Sequence, residues 1–109
     1  MIDRDEFSAW LRLLETPGVG RTAARALLAH FGSPEAVIGA STAARSAVVP
    51  ADIAAALADT PPAFDVRLAA GWRWLSSGGD EPRDAIAIGD QRYPSALLES
   101  PDPPLLLYA

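Results

Sequence analysis

The residues best placed for chemistry lie in the run Thr16-Pro17-Gly18-Val19-Gly20-Arg21-Thr22-Ala23-Ala24-Arg25. A Gly-hydrophobic-Gly hairpin lets the backbone turn tightly and come close to a bound anion. A helix that begins just after it presents first-turn N–H groups and the positive end of its dipole to that anion. Val19 is expected to be buried and to pin the hairpin between two helices. Arg21 and Arg25, four residues apart, share one helix face beside the anion position. No acid occurs from residue 16 to residue 34, which makes this window locally basic. Such contacts suit the phosphates of a nucleic-acid backbone and carry no base-sequence information. A helix–hairpin–helix can equally be a packing element or part of a protein-binding domain, and the residues alone leave these readings open. Two arginines also supply little electrostatic affinity, which grows with each phosphate neutralised. Direct binding by this unit alone should be weak.

Other chemistries find little support. The chain has no cysteine, which excludes a disulfide scaffold, thiol chemistry and a Cys-based zinc site. Its single histidine, His30, leaves no room for a His-rich metal centre. At a helix C-terminus that side chain suits a capping role. No Gly-rich phosphate loop, nucleophile–base pair or metal cluster is evident, so no enzymatic activity, metal or cofactor is expected. Trp10, Trp72 and Trp74 could stack on bases. Trp10 and Trp72 fall on apolar helical stripes and read as core, whereas Trp74 lies off its stripe and suits an exposed or interdomain contact.

Composition sets the outer limits. The chain has 109 residues, 50% of them hydrophobic and 21% charged, with a mean hydropathy of +0.12. Wholesale disorder needs lower hydrophobicity and more net charge. The formal charge of −5 argues against a generic polyanion binder. All nine cationic residues are arginine, and 22 positions are alanine. The start, MIDRDEF, lacks the basic and apolar regions of a signal peptide. No run approaches the ~20 apolar residues of a membrane span. A cytoplasmic location without membrane contact is therefore expected.

The elements that must position the hairpin are helices. Asp3 can cap the first, with Glu6 three residues on as in a capping box. Phe7, Trp10, Leu11 and Leu14 have the i, i+3, i+4, i+7 spacing of one buried face. Helix two spans about Arg21 to His30, with Ala24, Leu27, Leu28 and Phe31 on its apolar side and Gly32 as its left-handed stop. Ser33-Pro34-Glu35 opens a short helix that ends by Gly39. Residues 42–58 read as two short helices split near Val48-Val49-Pro50. Phe64, Leu68, Trp72 and Leu75 mark a longer helix that stops at Gly78-Gly79.

The character then changes. After a polar linker come two short apolar runs, Ala85 to Ile88 and Leu105 to Tyr108, with a single helical turn at Pro94 to Leu98 between them. Such runs suit strands buried on both faces of a helix-covered sheet. The second run ends one residue before the last residue, with nothing expected to pair it. The reading is a mainly α chain: a compact helical domain over residues 1–79, then residues 80–109 as the truncated start of an α/β domain. The alternative is a tail that packs back on the helices as an irregular arm. Residues 1–79 hold seven arginines against eight acids, and residues 80–109 two against six. The acidity belongs mostly to the tail.

Gly89-Asp90-x-x-Tyr93-Pro94-x-x-Leu97, followed after four residues by Asp102-Pro103-Pro104-x-x-Leu107-Tyr108, resembles the DNA-processing protein A family (DprA, also called Smf). Pro17-Gly18-Val19-Gly20 and Phe31-Gly32-Ser33-Pro34-Glu35-Ala36-Val37 match the N-terminal helical domain of the same family. The resemblance covers nearly the whole chain in the right order. It implies a sterile-alpha-motif or helix–hairpin–helix domain followed by a Rossmann-like domain. It further implies binding to single-stranded DNA, protection of incoming DNA in natural transformation, help in loading the recombinase RecA, homodimerisation of the full-length protein, and no established catalysis. The principal DNA pocket of the family lies in a loop of the Rossmann-like domain beyond residue 109, so none of its residues carry over. One departure is that Asp84-Ala85-Ile86 stands where a histidine often begins the strand.

Overall fold

The computed structural model describes residues 2–77, 84–88, 90–98 and 104–108. Helix α1 (Arg4–Glu15) is followed by α2 (Arg21–Phe31), α3 (Pro34–Gly39), α4 (Thr42–Ser46), α5 (Ala51–Ala56) and α6 (Phe64–Ser76). Strand β1 (Ala85–Ala87), the single turn α7 (Ser95–Leu98) and strand β2 (Leu106–Tyr108) complete the order. The protein is mainly helical with a small two-stranded sheet, as its sequence pattern predicts.

Local chemistry sets the helix ends. The Asp3 carboxylate accepts from the Glu6 N–H at 2.8 Å and starts α1. Glu6 does not complete a reciprocal box; its carboxylate accepts from the Trp10 indole N–H at 3.3 Å. Gly32 stops α2 with φ at 91°, its N–H bonded to the Leu28 carbonyl. The Ser33 hydroxyl caps α3 at the Ala36 N–H, and Pro34 occupies the first turn, where a missing N–H costs nothing. The Ser41 hydroxyl caps α4 in the same way.

The core gathers Phe7, Trp10, Leu11 and Leu13 of α1 with Ala24 and Leu27 of α2, Val37 of α3, and Phe64 and Leu75 of α6. Leu14, expected on the buried face, is instead 39% exposed, and Leu13 is fully buried. The reason is that α1 packs against α2, α3 and α6 together. Its buried arc is therefore wider than one stripe and turned towards Leu13. Helix α6 approaches α1 closely because Gly71 lies under the Phe7 ring. A Cβ there would meet ring carbons at 3.0 and 3.1 Å. Trp72 packs on Phe7 with centroids 6.0 Å apart.

The two apolar runs pair with each other. Strands β1 and β2 are antiparallel, with Ala85 opposite Tyr108, Ile86 opposite Leu107 and Ala87 opposite Leu106. This corrects the expectation that the second run lacks a partner. Between them lies a turn in which the Tyr93 N–H bonds the Asp90 carbonyl at 3.0 Å. Nor is the ribbon buried on both faces. Ala85, Leu105 and Leu106 join the core beside the α1 side chains, while Tyr108 is exposed. The Ile2 N–H also donates to the Asp84 carboxylate at 3.0 Å, tying the entry of α1 to the start of β1.

Candidate functional site

Thr16 starts the hairpin. Buried to 3% exposure, it donates its hydroxyl to the Arg12 carbonyl at 2.5 Å and its N–H to the same oxygen, closing α1. The Val19 N–H then bonds back to the Thr16 carbonyl at 3.3 Å. This tight return requires a left-handed residue, and Gly18 provides it with φ at 86°. Val19, expected to be buried, is half-buried and packs against the core.

Gly20 is the N-cap of α2, with extended backbone. A side chain is sterically possible there, because a Cβ would meet nothing within 4 Å. Ser, Thr, Asp and Asn are preferred at this position, and glycine supplies no capping side chain. The first turn of an α-helix has N–H groups with no intrahelical acceptor, and Gly20 has no side chain to offer them. Arg21 is exposed and Arg25 half-buried on the same helix. The five sequence-predicted residues therefore form one continuous hairpin-and-helix segment.

Beside it lies a pocket of about 250 Å³ lined by Leu13, Leu14, Val19, Gly20, Arg21, Ala24 and Leu105. Leu105 comes from the tail, so the hairpin and the residue preceding β2 share one surface feature. Sequence spacing could not reveal this, because Leu105 is more than 80 positions from the hairpin.

The tail motif divides between placed and unplaced residues. Gly89, Asp102 and Pro103 lie outside the described residues. Tyr93 is buried, and its hydroxyl donates to the Pro104 carbonyl at 2.6 Å, which joins the Tyr93-Pro94 element to the second proline-rich element. Pro94 itself is exposed. The Asp90 carboxylate accepts from the Arg92 N–H at 2.8 Å and from its guanidinium, which also pairs with Asp84. Hydrogen bonding to Arg92 holds the Asp90 carboxyl below the usual range. These motif residues hold the ribbon's turn together.

Two arginines that sequence reasoning left unmarked shape the helical part. Arg45 is 2% exposed, and its guanidinium donates to the carbonyls of Val37, Ala40 and Ala54 at 3.1, 2.7 and 3.2 Å. It thereby closes the end of α3 against α5. Burial lowers its proton affinity, and the nearby Arg12 charge lowers it further. Arg12 donates to the Leu57 carbonyl at 2.9 Å and lies 5.7 Å over the Phe64 ring. No periodicity marks either role.

Trp74, expected to make an exposed or interdomain contact, is 39% exposed and packs edge-to-face on Tyr108 with centroids 5.9 Å apart. Trp10 is core, and Trp72 is partly buried against it. His30 stands exposed in the last turn of α2. Among the described residues no group of three or more His, Cys, Asp or Glu could hold a metal ion, and no helix is long and apolar enough to cross a membrane.

No curated protein and no solved structure matches the chain. Residues 4–60, or 57 of the 109, match a family model described as a DprA-like N-terminal HHH domain. That span holds α1 to α5 and the complete Gly18-Val19-Gly20 hairpin. The chain belongs to the family of DprA-like N-terminal HHH domains.

Proposed function

We propose that this chain is the N-terminal part of a DprA-like protein that binds single-stranded DNA, protects incoming DNA and assists RecA loading in natural transformation and recombination. The carrying observation is the family match over residues 4–60, and the hairpin within that span has the backbone a phosphate contact needs. Gly18 makes the left-handed turn and Gly20 leaves the start of α2 without a side-chain cap. In this reading residues 1–79 are the helical domain and residues 80–109 lead into a Rossmann-like domain that carries the main DNA pocket. The helical domain adds a weak backbone contact through Gly18, Val19, Gly20, Arg21 and Arg25. The full-length protein is a cytoplasmic homodimer, and it is a binding protein rather than an enzyme, with no cofactor.

The division of labour is tested by titrating labelled single-stranded DNA with the 109-residue chain and with a version extended through the Rossmann-like domain. The extended protein is expected to bind far more tightly. Tight, salt-sensitive binding by the 109 residues alone would contradict it. A second reading, in which the helical domain binds a protein, is favoured by the exposed Leu14 beside the hairpin. Unchanged DNA affinity of the extended protein after Arg21→Ala and Arg25→Ala would support it.

A further inference from the structure

We propose that the tail braces the hairpin: Tyr93 and Asp84 hold Leu105 in place beside it, so the hairpin keeps its order only while the ribbon is docked. The proposal goes beyond the DNA reading and holds whatever ligand the hairpin takes. It gives Tyr93 and Pro104 of the tail motif a positioning task in this chain.

Leu105 is the point of contact. It is 2% exposed and belongs to the same core as Leu13 and Ala24, with Val19 packed against that core. It also lines the pocket that Val19 and Gly20 line, so the tail reaches the hairpin at this residue. The hairpin is weakly closed by itself. Its Val19 N–H bonds the Thr16 carbonyl at 3.3 Å, beyond the usual range of such bonds, and Val19 is only half-buried. A segment with so little buried surface of its own takes its stability from what packs on it.

The position of Leu105 is fixed from the ribbon. The Pro104 carbonyl accepts from the buried Tyr93 hydroxyl at 2.6 Å, and the Leu105 carbonyl accepts from the Ile88 N–H at 2.9 Å. The ribbon is anchored in turn on the helices. The Asp84 carboxylate accepts from the Ile2 N–H at 3.0 Å and the Ala85 N–H at 2.8 Å, and it pairs with Arg92. At the other end of the strand pair the Tyr108 ring lies edge-on to Phe7 and Trp74, with centroids 6.3 and 5.9 Å away. Neither Tyr93 nor Asp84 lines the pocket. A change at either therefore reaches the hairpin through the placement of the ribbon.

Such coupling is reciprocal. Undocking the ribbon loosens the hairpin, and a ligand that orders the hairpin firms the ribbon. In the proposed function, where residues 80–109 lead into a Rossmann-like domain, the brace is the route by which the two domains influence each other.

The test is native-state amide hydrogen exchange, read by NMR on the 109-residue chain. The Ile88 amide reports on the ribbon, and those of Val19 and Ala24 report on the hairpin and the start of α2. The fully buried Ala54, whose N–H bonds the Pro50 carbonyl at 3.0 Å, reports on opening of the whole fold. In the parent, Ile88, Val19 and Ala24 are expected to share one level of protection, below that of Ala54. Tyr93→Phe and Asp84→Asn should each speed exchange at all three by about fivefold, the scale of one lost hydrogen bond. Leu105→Ala should speed it about tenfold or more, as loss of a packed side chain implies, with circular dichroism verifying the fold. Leu98→Ala, at an exposed side chain of α7, should alter none of the three. Faster exchange at Ile88 with Val19 and Ala24 unchanged would overturn the proposal, because the ribbon would then open alone. Hairpin protection equal to that of Ala54 in the parent would also overturn it, as would rates untouched by both Tyr93→Phe and Asp84→Asn.

Discussion

Two pairs of arginines sit in this fold with opposite assignments. Arg12 and Arg45 turn inward and donate to main-chain carbonyls at the ends of short helices. Arg21 and Arg25 lie on α2 behind a hairpin built from glycines. The difference follows from what each neighbourhood lacks. Helices α3, α4 and α5 have only five or six residues each. Helices that short leave most of their C-terminal carbonyls without intrahelical donors. A buried guanidinium supplies several donors at once. The hairpin needs no such support, because backbone bonds and a left-handed glycine close it. The proposed function gives its arginines a nucleic-acid backbone as ligand.

The largest expected effect lies on the inward side. Arg45→Ala removes a buried guanidinium and leaves the carbonyls of Val37, Ala40 and Ala54 without it. A loss of about 3 kcal/mol or more is expected in urea unfolding, since bonds to charged groups contribute ~1.5–3 kcal/mol each. A loss below about 1 kcal/mol would show that water replaces the clamp. Arg45→Lys should recover little of the stability, because an ammonium cannot reproduce the planar fork.

The hairpin glycines separate folding from function. Gly18→Ala forces an L-residue to φ near 86°, with an expected cost of ~1–2 kcal/mol. Gly20→Ala places its Cβ in open space on extended backbone, so the expected cost is only that of alanine as a poorer N-cap, about 1 kcal/mol. Its DNA affinity should nevertheless fall, because the methyl group stands where a phosphate would approach. Unaltered affinity in a folded Gly20→Ala protein would count against a backbone contact there.

Acid should act on the ribbon. Burial alone would raise the Asp84 carboxyl, but the Ile2 N–H, the Arg92 guanidinium and the Ala85 N–H outweigh it and hold the group below its usual range. The stability it contributes is present above the unfolded value of about 3.9 and is lost as pH falls through the folded one. Asp84→Asn should therefore destabilise the protein at pH 7 and make little difference below pH 3, as followed by tryptophan fluorescence with Trp74 against Tyr108. An equal deficit at both pH values would assign the loss to packing. A small effect of opposite sign is expected at Ala63, the N-cap of α6, with φ at 61°. Ala63→Gly relieves that conformation and should stabilise by up to about 1 kcal/mol in thermal melts.

Much of the architecture could be read directly. Asp3, Gly32, Ser33 and Pro34 act within one turn of chain, so their roles follow from local sequence. Gly18 and Gly20 were legible for the same reason. The adjacent leucines 13 and 14 were not, because the choice between them depends on three helices arriving from elsewhere. Pairing of β1 with β2 was hidden because a short apolar run does not say which partner it will meet. Arg45 sits in an alanine-rich stretch without pattern, and its burial arises only where the end of α3 meets α5. The pocket was illegible for a related reason, since Leu105 reaches it through the fold and not through spacing.

The central claim is that Arg21 and Arg25 make a modest backbone contact with single-stranded DNA. Its most direct test is the salt dependence of DNA binding by the parent chain and by the Arg21→Ala, Arg25→Ala double variant. Each neutralised phosphate contributes ~0.7 to the slope of log affinity against log salt for single strands. Weak binding by the parent is expected, with a slope smaller by about 1.4 in the variant. Parent and variant with the same affinity and the same slope would contradict it.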